Sequence, residues 1–341
     1  MRVMVTGSHG FIGTILVPML MKAGHEVVGL DSDLYKYCTY GEGLPEVEHM
    51  KKDIRDVDSS DIKGFDAIIH LAGLSNDMLG DLNPKLTYEI NHAASVKLAQ
   101  IAKDVGVSRF LFSSSCSTYG AAGDRMLDEN AVFNPVTPYA VSKVLVEKDV
   151  RELADSGFSP TFLRNATAYG ISPRIRFDVV INNLTAWAFT TGQILMKSDG
   201  TPWRPVVHIE DISRAFIAVL HAPREKIHNQ AFNIGKNSEN YQIRELADFV
   251  KMTVPGCSIE FDDNAGPDKR CYRVDFSKYE NCFPEDKMQW DAKKGTEHIY
   301  TSYQRYGLNK EEYEGIRYKR IEHIKYLLRT AQLDSTLRWN E

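Results

Sequence analysis

Thr6-Gly7-Ser8-His9-Gly10-Phe11-Ile12-Gly13 follows the apolar run Val3-Met4-Val5 without a break and opens an apolar helical pattern over 12–23. A strand that turns through glycines into a helix is the first half of a βαβ unit. Its glycines allow a sharp turn and a close approach of the backbone to a diphosphate, and the free N–H groups at the helix start stabilise that charge. The spacing is G-x-x-G-x-x-G, and its context strengthens it. A second strand over 26–30 ends in Asp31, eighteen residues beyond Gly13. A carboxylate there accepts hydrogen bonds from adenosine ribose hydroxyls and repels a 2′-phosphate, which points to NAD rather than NADP.

Working outward, short β-rich runs near 2–6, 26–30, 66–71 and 108–114 alternate with helical patterns near 12–23, 84–104 and 138–155. That alternation predicts an α/β fold, a Rossmann-type doubly wound parallel sheet. Asp53 and Ile54 follow a third strand, where a carboxylate and an apolar neighbour flank an adenine. Leu71, Ala72 and Gly73 close a further strand with residues small enough for a dinucleotide to lie on the backbone. Beyond about 165 the rhythm loosens, with Pro173, Pro202, Pro205 and a polar stretch over 192–203. The expected organisation is a dinucleotide-binding domain over 1–165 and an interleaved, smaller C-terminal substrate-binding lobe over 166–305. An amphipathic helix near 210–221 packs back on the first domain. A helical extension covers 306–341, with one amphipathic helix over 310–330 through Tyr313, Ile316, Ile321, Ile324 and Leu328.

Composition bounds the partners. The 341 residues are 43% hydrophobic and 26% charged, with a net charge of -5, so a general attraction to nucleic acid or anionic lipid is not expected. No apolar run is long enough for a membrane span, and the N-terminus enters a buried strand rather than a signal peptide, which gives a cytoplasmic expectation. Cys38, Cys116, Cys257, Cys271 and Cys282 include no C-x-x-C pair, so reduced thiols and no metal site are expected.

The chemistry sits further along. A strand over 109–112 runs into Ser113-Ser114-Ser115-Cys116-Ser117-Thr118-Tyr119-Gly120, and Tyr139-Ala140-Val141-Ser142-Lys143 follows on a helix. Tyr139 and Lys143, at i and i+4, share one helix face. An ammonium beside a phenol favours the phenolate, lowering its pKa from about 10 toward working pH and making Tyr139 a general base.

In this order the motifs TGSHGFIG, HLAGL, FSSSCSTYG, YAVSK, NNL at 182–184 and RPVVHIED at 204–211 resemble the extended short-chain dehydrogenase/reductase family, in its nucleotide-sugar epimerase and dehydratase branch. The resemblance runs from Thr6 to about Asp275. It implies a catalytic triad of Ser115, Tyr139 and Lys143, with Lys143 also holding the nicotinamide ribose. It implies a cofactor site for NAD of Gly7, Gly10, Phe11, Ile12, Gly13, Asp31, Asp53, Ile54, Leu71, Ala72, Gly73 and Ser113, completed by Tyr139 and Lys143. Ser75, Ser115, Asn165, Asn183, Leu184, Arg204 and Arg270 are the implied contacts of a nucleotide-diphosphate sugar, and Arg174 and Arg176 are further candidates for a sugar or phosphate. The stretch 169–178, with 266–270, resembles enzymes acting on heptose or other unusual bacterial sugar nucleotides.

Departures from the family narrow the reaction. Relatives that dehydrate carry Asp-Glu where this chain has Cys116 and Ser117, and decarboxylases carry Glu at Ser117. Galactose-type 4-epimerases carry lysine at Ser75, and Thr167 stands where an asparagine is usual. The expectation is C4 epimerisation through a 4-keto sugar. A net 4-dehydrogenase or 4-keto reductase is the alternative, and a Cys116 thiolate acting beside the sugar is a third, though a small buried thiol is the favoured reading of Cys116. The resemblance also implies a homodimer through the helices at 84–104 and 138–155.

Overall fold

The computed structural model describes residues 1–75, 83–266 and 271–340. Its centre is a seven-stranded sheet in the order Gln230–Ile234, Ser159–Asn165, Arg109–Ser115, Ala67–His70, Arg2–Thr6, Glu26–Asp31, Glu48–Lys51. Every pairing in it is parallel. Val3, Met4 and Val5, like Ile68, Ile69 and Phe110 to Phe112, are fully buried. Such runs are apolar at successive positions because helices cover both faces of a parallel sheet.

The chain winds outward from Arg2–Thr6 to Glu48–Lys51, then crosses back to Ala67–His70 on the other side. The loops at the carboxyl ends of Arg2–Thr6 and Ala67–His70 therefore diverge. That divergence opens the crevice in which doubly wound sheets bind ligands.

The first 165 residues do not complete this sheet. Helix Ile209–His221 places Phe216, Val219 and Leu220 in one apolar cluster with Leu16, Val17 and Leu20 of helix Gly13–Lys22. Gln230–Ile234 then supplies an edge strand beside Ser159–Asn165. A separate apolar cluster includes Ile181, Leu184, Ile194, Met196, Leu246, Val250, Ile299 and Tyr303, together with Tyr40, Tyr313 and Tyr318.

Several elements differ from the sequence expectation. The polar stretch over 192–203 contains a strand, Gln193–Ser198, paired in parallel with Ser258–Gly266. Only Ile194 and Met196 of it face inward, so alternation over so short a run is hidden among polar neighbours. Helix 84–104 is interrupted by a π turn, Glu89–Ala93, which brings Asn91 inward to accept from Leu74 N at 2.7 Å and to donate to Leu74 O at 3.0 Å. Helix Pro138–Arg151 stops short of 155.

The 310–330 helix breaks into Lys310–Tyr313 and Arg320–Arg329. A Cβ at Gly315 would lie 2.3 Å from the Glu311 carbonyl oxygen, so only glycine fits the turn between them. After the break the buried face reads Ile321, Ile324 and Leu327, while Ile316 is left 48% exposed and Leu328 is only partly buried. Among the described residues no helix is long and apolar enough to cross a membrane.

Candidate active site

A cavity of about 850 Å³ lies at the carboxyl ends of the central strands. Around it the fold gathers Gly7, Gly10, Phe11, Ile12, Gly13, Asp31, Asp53, Ile54, Leu71, Ala72, Gly73, Ser75, Ser113, Ser115, Tyr139, Lys143, Asn165, Asn183, Leu184 and Arg204. Arg270 lies outside the described residues.

The glycine turn is sterically committed. Gly7 has φ 74°, and a Cβ on it would lie 2.7 Å from Ala72 N; a Cβ on Gly13 would lie 2.3 Å from Gly7 O. Helix Gly13–Lys22 starts with no side chain capping its N-terminus, and the positive end of the helix dipole there favours a ligand's negative charge. Asp31 accepts from His9 N at 3.1 Å and from Asp33 N at 2.9 Å, and burial raises its carboxyl pKa. Beside it His9 Nδ1 and Asp33 Oδ1 lie 2.6 Å apart, and His49 stacks on His9 at 3.9 Å. Burial pushes the Asp33 carboxyl up, but the imidazoles of His49, at 3.5 Å, and His9 outweigh it and hold Asp33 below the usual range. A glycine-lined donor turn with acidic groups at the second and third strand ends fits a dinucleotide.

Strand Arg109–Ser115 and helix Pro138–Arg151 carry the reactive groups. Thr137 caps the helix by accepting from Ala140 N at 3.2 Å, and Pro138 starts it, which fixes where Tyr139 emerges. Lys143 Nζ donates to Ser113 O at 2.7 Å and lies 5.7 Å from the centre of the Tyr139 ring. Lys143 is only 5% exposed. Burial lowers its pKa to about 7, against an opposing pull from Glu147. Ser115 Oγ accepts from Ser117 N at 3.1 Å, which orients the hydroxyl at the strand end. Asn165 donates to Ser113 Oγ at 3.0 Å, while its own Oδ1 is buried with no partner. Asn165 itself is one of the residues that line the cavity.

Cys116 does not join them. It is fully buried, its thiol donates to Arg164 O at 3.1 Å, and burial raises its pKa well above the ordinary value. The thiolate alternative is overturned, because the side chain lies under the strand end rather than in the cavity.

Arg176, a candidate from the sequence, is joined on the wall by residues that carry no motif. Arg176 holds Asp178 through Nε and Nη2 at 3.0 and 2.8 Å and donates to Ser75 Oγ at 3.4 Å. Arg320 lies over the Tyr35 ring at 4.3 Å and donates to Arg174 O at 3.1 Å. Tyr35, Asp178, Lys197, Tyr272, Arg320 and Leu337 all line the cavity. Arg320 and Leu337 come from the C-terminal segment, nearly three hundred residues from the turn they face, so local spacing could not reveal them.

Fold and site together define a dinucleotide-dependent oxidoreductase-type enzyme built on a Rossmann sheet. The profile of the NAD dependent epimerase/dehydratase family matches residues 3–235, and the chain belongs to that family. It is similar to UDP-glucose 4-epimerase of Bacillus subtilis, with 26% identity over 327 residues covering 88% of this chain and 94% of the relative. Its fold resembles the NAD dependent NDP-hexosamine 5,6-dehydratase TunA, with a TM-score of 0.79, 21% identity and 89% and 98% of the two chains covered. It also resembles the UDP-glucuronic acid 4-epimerase of Bacillus cereus in complex with UDP-glucuronic acid and NAD, with a TM-score of 0.76, 23% identity and coverage of 89% and 99%. The chain is thus an NAD-dependent enzyme of the nucleotide-sugar epimerase and dehydratase type, within the extended short-chain dehydrogenases/reductases.

Proposed function

We propose that this enzyme inverts C4 of the sugar in a nucleoside-diphosphate sugar, by way of a 4-keto intermediate. The observation that carries the reading is the pairing of Tyr139 and Lys143 on one helix face with a strand end that lines the cavity with serines, Ser113, Ser114, Ser115 and Ser117. No carboxyl stands at Cys116 or Ser117 to move protons at C5 and C6.

Bound NAD supplies a hydride acceptor that can return the hydride. Tyr139 takes the proton of the C4 hydroxyl, assisted by the positive charge of Lys143, and Ser115 hydrogen-bonds the same oxygen. Asn183, Leu184 and Arg204, on the wall from 166–305, grip the nucleotide and its diphosphate. The guanidinium of Arg204 suits phosphate geometry. With the nucleotide held, the keto sugar turns to present its other face, and Tyr139 returns the proton. The helices at 84–104 and 138–151 supply the contact of the homodimer.

The test is to incubate the purified holoenzyme with a panel of nucleoside-diphosphate hexoses, uronic acids and heptoses, and to follow sugar stereochemistry by NMR and cofactor absorbance together. A new C4 epimer without accumulation of NADH supports the reading. Stoichiometric NADH release, or consumption of added NADH by a 4-keto sugar, replaces it with the dehydrogenase or reductase. Loss of water from the sugar replaces it with a dehydratase.

A further inference from the structure

The last residues of the chain return to the cofactor cavity. Leu337 lines that cavity together with Asp31, Asp53 and Ile54, the end at which a ribose-binding carboxylate places adenosine. It is only 6% exposed, and it packs in one apolar cluster with Ile54, Leu30 and Leu333.

The segment around it is tied to both strand ends that flank this part of the site. Trp339 Nε1 donates to Ser32 O at 2.6 Å, next to Asp31. Arg55 grips Asp53 through Nε and Nη2 at 2.9 and 2.6 Å, and the same Nη2 donates to Thr336 O at 2.9 Å. Arg338 pairs with Asp56. Lys36 lies over the Trp339 ring at 3.9 Å.

The segment also organises itself. A bridge between Leu333 and Trp339 closes the loop, and Asp334 accepts from Thr336 N and Arg338 N at 2.8 and 2.9 Å. Leu337 sits at φ 61°, in the left-handed region that disfavours branched side chains. A leucine held there against its backbone preference, with its side chain turned to the cavity, indicates a position where the side chain has a use.

We infer that residues 333–339 form a latch over the adenosine end of the NAD site, with Leu337 as its cofactor-facing wall and Trp339 and Arg338 as its anchors. The latch keeps NAD resident while the sugar comes and goes. It acts on the cofactor, since its anchoring polar contacts with Ser32, Arg55 and Asp56 lie on the turns after the second and third strands.

The decisive measurement uses the full-length holoenzyme and reads NAD dissociation by chase with labelled NAD, alongside calorimetric affinities for ADP-ribose and for UDP. Leu337→Gly deletes the side chain and suits the positive φ. Losing one buried apolar wall is worth about tenfold in binding, so NAD should leave about tenfold faster and ADP-ribose bind correspondingly more weakly, with UDP affinity unchanged. Arg338→Ala, at the exposed end of the latch, should shift the same two readings in the same direction and stands in if Leu337→Gly does not fold. Dissociation at the wild-type rate in a folded variant overturns the latch. So does an equal loss of ADP-ribose and UDP affinity, because that pattern marks general destabilisation.

Discussion

Glu147 and Arg164 form a two-pronged ion pair, Nε to Oε1 at 2.9 Å and Nη2 to Oε2 at 2.7 Å, with 1% and 3% of their side chains exposed. The pair lies behind the catalytic strand end. Ser114 Oγ donates to Glu147 Oε1 at 2.6 Å, which ties the residue between Ser113 and Ser115 to the pair. Arg164 extends the network to Tyr119, whose hydroxyl donates to Asn233 at 2.7 Å.

Breaking this pair from one side strands a buried charge. Glu147→Gln should therefore lower unfolding free energy by roughly 3–5 kcal/mol. The double change Glu147→Leu with Arg164→Met, which removes both charges, should recover most of that loss. Urea denaturation of the three proteins decides it: a Glu147→Gln cost within about 1 kcal/mol would mean that water or relaxation replaces the partner.

What the sequence discloses here follows from how locally each feature is encoded. The glycine turn, Asp31 and the Tyr139–Lys143 pair rest on spacings of a few residues, or on one strand and its successor, and a linear reading finds them. Cys116 is different: its position in a motif places it beside Ser115, but whether the thiol faces ligand or core depends on Arg164, contributed by the neighbouring strand. Arg320 and Leu337 are set by tertiary packing alone, and the break at Gly315 leaves Ile316 exposed while Ile321 and Ile324 stay on the buried face. Strand Gln193–Ser198 was hidden because two inward residues give too short a period to stand out.

The glycine cradle makes a prediction with its own control. Gly7→Ala adds a Cβ 2.7 Å from Ala72 N at a position with φ 74°, so the turn must move. Gly24→Ala, at φ 85° with nothing within 4 Å, carries only the backbone penalty of about 1–2 kcal/mol. Gly7→Ala should be purified without NAD and bind UDP as the wild type does, while Gly24→Ala keeps its NAD. Cofactor content measured after gel filtration tests this, and a Gly7→Ala protein that retains NAD would remove the turn from the binding site.

His70 predicts an acid limit to stability. Its Nδ1 lies 2.6 Å from Thr6 Oγ1 and its Nε2 2.7 Å from Ser95 Oγ, and burial lowers its pKa to about 3 from 6.5. Below pH 6.5 the unfolded chain takes up a proton that the folded chain refuses. Stability then falls as pH falls, from the unfolded value down to the folded one. His70→Asn should start less stable at neutral pH, because a buried hydrogen bond is lost, but should lose less Tm between neutral pH and mildly acid pH than the wild type. Equal losses in the two proteins would assign the acid sensitivity to other groups.

Lys143 predicts a slope of the same sign in a more alkaline window. Its buried ammonium has a folded pKa of about 7 against 10.5 unfolded, so between these values the unfolded chain holds the extra proton and stability of the cofactor-free protein rises with pH. Below pH 7 the fold bears the full cost of a buried charge that its carbonyl contact with Ser113 only partly offsets. Lys143→Met removes that charge while keeping the apolar stem, so the apoprotein should gain Tm, most at pH 6 and progressively less as pH rises past about 7. The same change removes the ammonium proposed to assist Tyr139 as base and should reduce turnover by about 10²–10⁴-fold, the range of a lost general-base contribution. Calorimetry of the two apoproteins across pH settles the first half. A variant that melts lower than the wild type at pH 6 would show that the ammonium stabilises the empty fold, and that its position is set by structure rather than by catalysis.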